Sequence, residues 1–128
     1  MASTSKFILA IDLGTSGPKV ALFSTQGELI GSEFQETPVI LLPNGGAEQS
    51  PAVWWSAIDT ACKRLLAKKL VSNDDIVAIA NTTQWSGTVA VDADGVAIEN
   101  AVIWMDSRGA PYIKKIADGF PKIEGYGL

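Results

Sequence analysis

The stretch Phe7 to Phe23, FILAIDLGTSGPKVALF, decides how the rest of the chain is read. Two apolar runs, FILAI and VALF, flank a short loop that carries one carboxylate, two hydroxyls, two glycines and one lysine. Short runs rich in Ile, Leu, Val and Phe suit buried strands, so the loop reads as a tight turn between paired strands. Gly14 and Gly17 let the backbone take positive φ or come close to a ligand, and leave N–H groups open to an anion. Thr15 and Ser16 add hydroxyl donors, and Lys19 adds a positive charge. Asp12, at the end of the first strand, is an acceptor for Mg2+, directly or through its waters. Together these are the parts of a polyphosphate grip. An ordinary Gly-rich hairpin turn accounts for the same loop taken alone. The Walker spacing is absent, and a strand rather than a helix follows.

Working outward, STQGE after Phe23 reads as a turn and LIGSEF as a third strand, which makes a three-strand meander with a turn at Gln26 and Gly27. Thr37 to Leu42 reads as a further edge segment, because Pro38 is excluded from the centre of a sheet. GGAEQSPAVWW opens a helix with Ser50 as N-cap and Pro51 at the first helical position. Trp54, Ile58, Cys62, Leu65 and Leu66 recur at helical spacing, and Lys63, Arg64, Lys68 and Lys69 complement the helix dipole near its end. Cys62 fits an apolar helix face better than a nucleophile's place, since nothing nearby activates it. Ser72 to Asp75 is a polar connector. IVAIA at Ile76 to Ala80 is a short continuous apolar run, the pattern of a strand buried on both faces, and its order after a strand and a helix allows a parallel crossover.

Beyond that run, DADG between TVAV and VAI reads as a hairpin turn, which also accounts for the pair Asp92 and Asp94 without a metal. Gln84, Trp85, Ser86 and Gly87 lie where the chain leaves a strand, a place where binding residues gather. An indole can stack on the apolar face of a sugar, and a serine hydroxyl can bond to a sugar hydroxyl. Pro111 to Asp118 can form a short helix closed by Gly119, and the tail after it has no packing pattern.

The chain of 128 residues is 47% hydrophobic and 19% charged, the composition of a soluble globular domain with one core. No apolar run approaches the roughly 20 residues that span a bilayer, and the leader lacks the apolar core of a secretory signal. A net charge of −4 with no basic cluster argues against a nucleic-acid partner. The single cysteine permits no internal disulfide and fits a reducing, cytoplasmic setting. The absence of histidine excludes His-dependent triads, His metal sites and a histidine general base within these residues.

Three spaced motifs in this order make the segment resemble the amino-terminal part of the FGGY carbohydrate kinases. The first is Asp12, Gly14, Thr15, Ser16 and Lys19, which match the family's phosphate loop position by position; Pro18 stands where a small polar residue is more usual. The second is Gly45 to Pro51 before a Trp-containing helix, with Ser50 where the family often has Asp. Glu48 and Gln49 there either border the sugar or, as the residues favour, serve capping and loop anchoring. The third is the turn Gln84 to Gly87 followed by Trp104, Asp106 and Arg108. Members acting on pentuloses, the xylulose-kinase-like group, commonly carry Met and His in that turn, and Trp85 and Ser86 replace them.

The resemblance implies an α/β fold: part of a ribonuclease-H-like, actin-like ATPase domain, with a mixed sheet and flanking helices. It implies that residues 1–128 are the N-terminal part of the first kinase domain, and that the adenine-binding domain and the catalytic aspartate lie beyond Leu128. No catalytic base is expected in this segment, and the segment alone is not expected to turn over. ATP and Mg2+ are the implied cofactors, with Asp12 holding the metal through water and Gly14, Thr15, Ser16 and Lys19 meeting phosphate. The sugar, a pentulose or related polyol, would meet Gln84, Trp85, Ser86, Asp106 and Arg108; for the last two, a surface ion pair or helix cap is the alternative. A non-catalytic or split-kinase subunit that needs a partner chain is a second expectation, and self-association through an uncovered sheet face a related one. A chaperone-type actin-like ATPase shares the phosphate loop but not the motifs at Gln84 and Trp104.

Overall fold

The computed structural model describes residues 5–117. Strands β1 (Phe7–Gly14), β2 (Gly17–Ser24) and β3 (Leu29–Phe34) form the antiparallel meander that the sequence predicts. β1 and β2 pair from Phe7 opposite Ser24 to Gly14 opposite Gly17, so only Thr15 and Ser16 make the turn. Gly17 closes it at φ +135°, and a Cβ there would run into the backbone carbonyl of Gln35. The second turn has Gly27 at φ +88°. It is held by the Ser24 hydroxyl, which accepts from the N–H groups of Gln26 and Glu28.

The segment after β3 is an edge strand, as Pro38 predicts, but of a second sheet: Ile40–Leu41 (β4) pairs with Ala47–Gln49 (β5) and stands at the edge of that sheet. Thr37 is tied by its N–H to the Ser16 carbonyl at 3.0 Å, which turns the chain away before a further ladder can form. The Ala-Glu-Gln stretch is therefore strand, and helix α1 begins only at Pro51, running to Ala67. Ser50 holds the N-cap position with extended backbone, but its side chain makes no cap hydrogen bond.

Ala57, Ala61 and Leu65 are the buried line of α1, one face at four-residue spacing. Ala61 and Leu65 pack on Leu9, Val20 and Leu22, the α1-facing side of β1 and β2. The predicted core positions Trp54, Ile58, Cys62 and Leu66 are only partly buried and flank that line. Two alanines let the helix come close to the sheet, and the bulkier groups are displaced to its sides. Burial and the nearby Asp59 carboxylate push the Cys62 thiol upward, which suits its inert reading. The helix is also clamped to β3: Glu33 pairs with Lys68 at 2.6 Å and Arg64 at 3.2 Å. Chiefly the Lys68 hydrogen bond holds the Glu33 carboxyl below its usual range.

A short 3-10 turn, Asn73–Asp75, leads into β6 (Ile76–Thr83), which runs parallel to β1 and completes the order β3-β2-β1-β6. The Lys6 ammonium meets the Asp75 carboxylate at 2.9 Å. The parallel crossover is thus present, but the expected burial of β6 on both faces is not. Val77 is 56% and Ile79 69% exposed: β6 is the edge strand beside β1, and α1 packs mainly on β2 and β3 rather than on its face. The expected hairpin around Asp92 keeps its turn, with the Asp92 carboxylate accepting from Asp94 and Val96 N–H groups. Its flanking strands shrink to a single bridge, Val91 to Ala97. β7 (Ala101–Val102) then joins β5 in the second sheet, and helix α2 spans Ala110–Ala117. The predicted helix end at Asp118 and Gly119 lies outside the described residues. No helix among the described residues is long and apolar enough to cross a membrane.

Candidate active site

The carboxyl ends of the two parallel strands lie side by side. Asp12 on β1 pairs in register with Thr82 on β6, and Leu13 with Thr83. The Gln84 N–H then donates to the Leu13 carbonyl at 2.8 Å. The turn at residues 84–87 is thereby fixed against the Gly14 to Gly17 hairpin, at the edge where open α/β sheets collect ligands.

Asp12 and Lys19 are directly paired positions across β1 and β2, on the sheet face away from α1. Both are exposed, and among the described residues neither makes an ion pair or side-chain hydrogen bond. They stand at one end of a cavity of about 360 Å³ whose floor includes Ala10, Ala21, Phe23 and Ala80. The small floor residues leave room, and the two charges supply one acceptor and one cation. In the hairpin, the Thr15 carbonyl accepts from Gln49 Nε2 at 2.8 Å. A trans peptide sets N–H opposite C=O, so the Ser16 N–H faces away from Gln49 and toward the outside of the turn.

This donor set fits a magnesium polyphosphate. Among the described residues no three His, Cys, Asp or Glu side chains converge, so no all-protein metal cage exists. Mg2+ bound by one carboxylate, its waters and phosphate oxygens needs no such cage. Asp12 is the exposed carboxylate on this face, with Lys19 opposite it and the hairpin residues Gly14, Thr15 and Ser16 at the strand ends.

Beneath the hairpin runs a closed set of side-chain hydrogen bonds. Trp104 Nε1 donates to Thr15 Oγ1 at 2.9 Å, and Thr15 Oγ1 donates to Gln84 Oε1 at 3.2 Å. Gln84 Nε2 donates to Gln49 Oε1 at 2.9 Å, and Gln49 Nε2 returns to the Thr15 carbonyl. Gln49 is fully buried, and its Nε2 also lies near Thr37 Oγ1 and the Pro38 carbonyl. Groups of one kind set the directions in the ring: the Trp104 indole N–H can only donate and the Thr15 and Pro38 carbonyls can only accept, so the Gln49 and Gln84 amides each take a single orientation.

Asp106 and Arg108 form a separate cluster. Asp106 Oδ2 accepts from Arg108 Nε at 2.8 Å and from the Ala47 N–H at 2.9 Å, while Oδ1 accepts from the Arg108 N–H at 3.0 Å. Arg108 Nη2 also pairs with Glu48 at 2.8 Å, and Asn100 Nδ2 donates to the other Glu48 oxygen. The Arg108 guanidinium, with the Ala47 N–H behind it, lowers the Asp106 carboxyl to about 2. This cluster ties β5 to the turn after β7, and Asp106 directs both oxygens into the protein.

The structure therefore brings together Asp12, Gly14, Thr15, Ser16, Lys19 and Gln84. Trp85 stands out at the rim, 86% exposed, beside Ser86 at φ +54°. Asp106 and Arg108 sit on the second sheet and satisfy each other. The loop-anchoring reading of Gln49 holds, since its amide ties the Thr15 carbonyl to Gln84, but the sequence reading missed the bond from Trp104 to Thr15. The only signal for that bond was the place of both residues in spaced motifs.

An antiparallel meander, a crossover helix and a parallel strand define part of an actin-like, ribonuclease-H-like domain. Residues 7–123 match the N-terminal domain of the FGGY family of carbohydrate kinases, and the chain belongs to that family. A glycerol kinase from Marinomonas sp. is 32% identical over 113 residues, covering 88% of this chain and 23% of the relative. The xylulose kinase of Escherichia coli is 35% identical over 102 residues, covering 80% of this chain and 21% of the relative. A solved structure, described as a xyloylose kinase from Brucella ovis, superposes with a TM-score of 0.83 at 28% identity, covering 88% of this chain and 24% of that one. The chain thus spans about a quarter of the length of the curated relatives it matches.

Proposed function

We propose that this segment supplies the phosphate grip and part of the sugar site of an ATP-dependent kinase acting on a pentulose or related polyol, with the catalytic aspartate and the adenine site supplied by the remainder of that kinase. The observation that carries the reading is the junction of the two turns: Thr15 of the hairpin and Gln84 of the second turn share a hydrogen bond at the carboxyl ends of paired parallel strands. Donor and acceptor of a phosphoryl group must meet within bonding reach, and this edge holds both sets of side chains.

ATP, with Mg2+, supplies the γ-phosphoryl group for in-line transfer to a sugar hydroxyl. Lys19 would offset phosphate charge, the Ser16 N–H would donate to a phosphate oxygen, and Asp12 would hold Mg2+ through water. Gln84 offers an amide to sugar hydroxyls, while Trp85 and Ser86 give a stacking face and a hydroxyl. Such transfer depends on positioning and electrostatics more than on covalent chemistry by the protein. Asp106 and Arg108 hold the rim that carries these loops.

The test is ADP release by the complete kinase with D-xylulose, other pentuloses, glycerol and ribitol offered singly. Release that depends on one of these supports the reading. Release unaffected by any polyol, or none at all, contradicts it.

A further inference from the structure

Gln49, read from the sequence as a sugar-border or loop-anchoring residue, is among the described residues the one fully buried polar side chain that bonds to both turns. Its Nε2 holds the Thr15 carbonyl at 2.8 Å, and its Oε1 holds Gln84 Nε2 at 2.9 Å. The first bond sets the plane of the peptide whose other side presents the Ser16 N–H. The second sets the Gln84 amide, whose Oε1 takes the Thr15 hydroxyl. A buried amide left without these partners loses its place, so the bonds are held or the packing around them changes.

We propose that Gln49 is a positioning residue that couples sugar occupancy to phosphate binding. The inference rests on the kinase reading above. A sugar bound at Gln84 restrains that amide, and through Gln49 Oε1 it restrains the amide whose Nε2 holds the Thr15 carbonyl. The Trp104 indole, 56% exposed and donating to Thr15, is the second entry to the same ring. Its donor-only N–H keeps the ring in one direction, so restraint at either residue fixes the whole set. Bound sugar then presents the Ser16 N–H to phosphate with less ordering left to occur, and nucleotide binding tightens.

The experiment compares the dissociation constant of a non-hydrolysable ATP analogue with Mg2+, with and without saturating D-xylulose or glycerol, in the complete kinase. A ratio of the two constants does not depend on the fraction of protein that is folded, so a merely structural role leaves it unmoved. In the wild-type protein the sugar should tighten the analogue at least about fivefold. Gln49→Leu, close in size and without hydrogen bonds, should bring the ratio to about one. If that variant fails to fold, Gln49→Glu decides, because it keeps the length of the side chain and an acceptor for Gln84 but removes the Nε2 donor that holds the Thr15 carbonyl. A wild-type ratio of one, or a ratio that survives in the folded variant, overturns the coupling while leaving the kinase reading intact. A wild-type protein that binds neither analogue nor sugar overturns the kinase reading, and the coupling with it.

Discussion

Asp12 and Lys19 face each other across the β1–β2 ladder and do not form an ion pair. Opposite charges on neighbouring strands ordinarily gain a little by meeting. Among the described residues both lack a partner and line the cavity, so the charge on each is unspent when a ligand arrives. If Lys19 meets phosphate, a charged hydrogen bond of about 1.5–3 kcal/mol is lost in Lys19→Ala. Nucleotide affinity should fall by about one to two orders of magnitude. The loss should shrink at high salt, with the fold unchanged by circular dichroism. An unchanged affinity would remove Lys19 from the phosphate site.

Gly17 and Gly14 should separate stability from binding. At Gly17 a Cβ has no room beside the Gln35 carbonyl and the backbone is at positive φ, so Gly17→Ala should lower stability by about 1–3 kcal/mol or more. At Gly14 a Cβ would meet only the Gly17 carbonyl at 3.5 Å, an ordinary contact. Gly14→Ala should therefore melt close to the parent. Thermal melts of both variants check this, and equal losses would contradict the hairpin geometry.

The Asp106 pair gives a signed acid dependence. The folded carboxyl titrates at about 2, below its ordinary value of 3.8, so its contribution to stability is fully present above the unfolded value. It is lost as pH falls through the folded value. Stability should decline across the window from about 4 to about 2, and the component due to this group should vanish in Asp106→Asn. Denaturant melts at stepped pH measure it; parallel curves for parent and variant would show that the Arg108 pair contributes nothing.

The meander and its first hairpin were legible because apolar runs and turn residues there are local signals. The line of α1 was not, because Ala57 and Ala61 carry little hydrophobic signal, and only the closeness of the sheet makes them core. β6 reads as a strand from its apolar run, but burial depends on neighbours, and those are a property of the assembled domain. β4, β5 and β7 are two or three residues long and exist only by pairing with each other. Gln49 and Trp104 announce nothing by residue type, and their bonds span 34 and 89 positions to Thr15. Asp106 and Arg108 carried both a structural and a ligand reading, and the geometry displays the structural half.

The most direct test of the central claim is sugar-dependent ADP release by the complete kinase, measured for the parent and for Asp12→Asn under saturating ATP, Mg2+ and sugar. The account predicts turnover that requires a pentulose or polyol, and a fall in kcat of about 100-fold or more when Asp12 loses its charge. Turnover by Asp12→Asn at the parent rate would contradict it, as would a parent protein whose ADP release is indifferent to sugar.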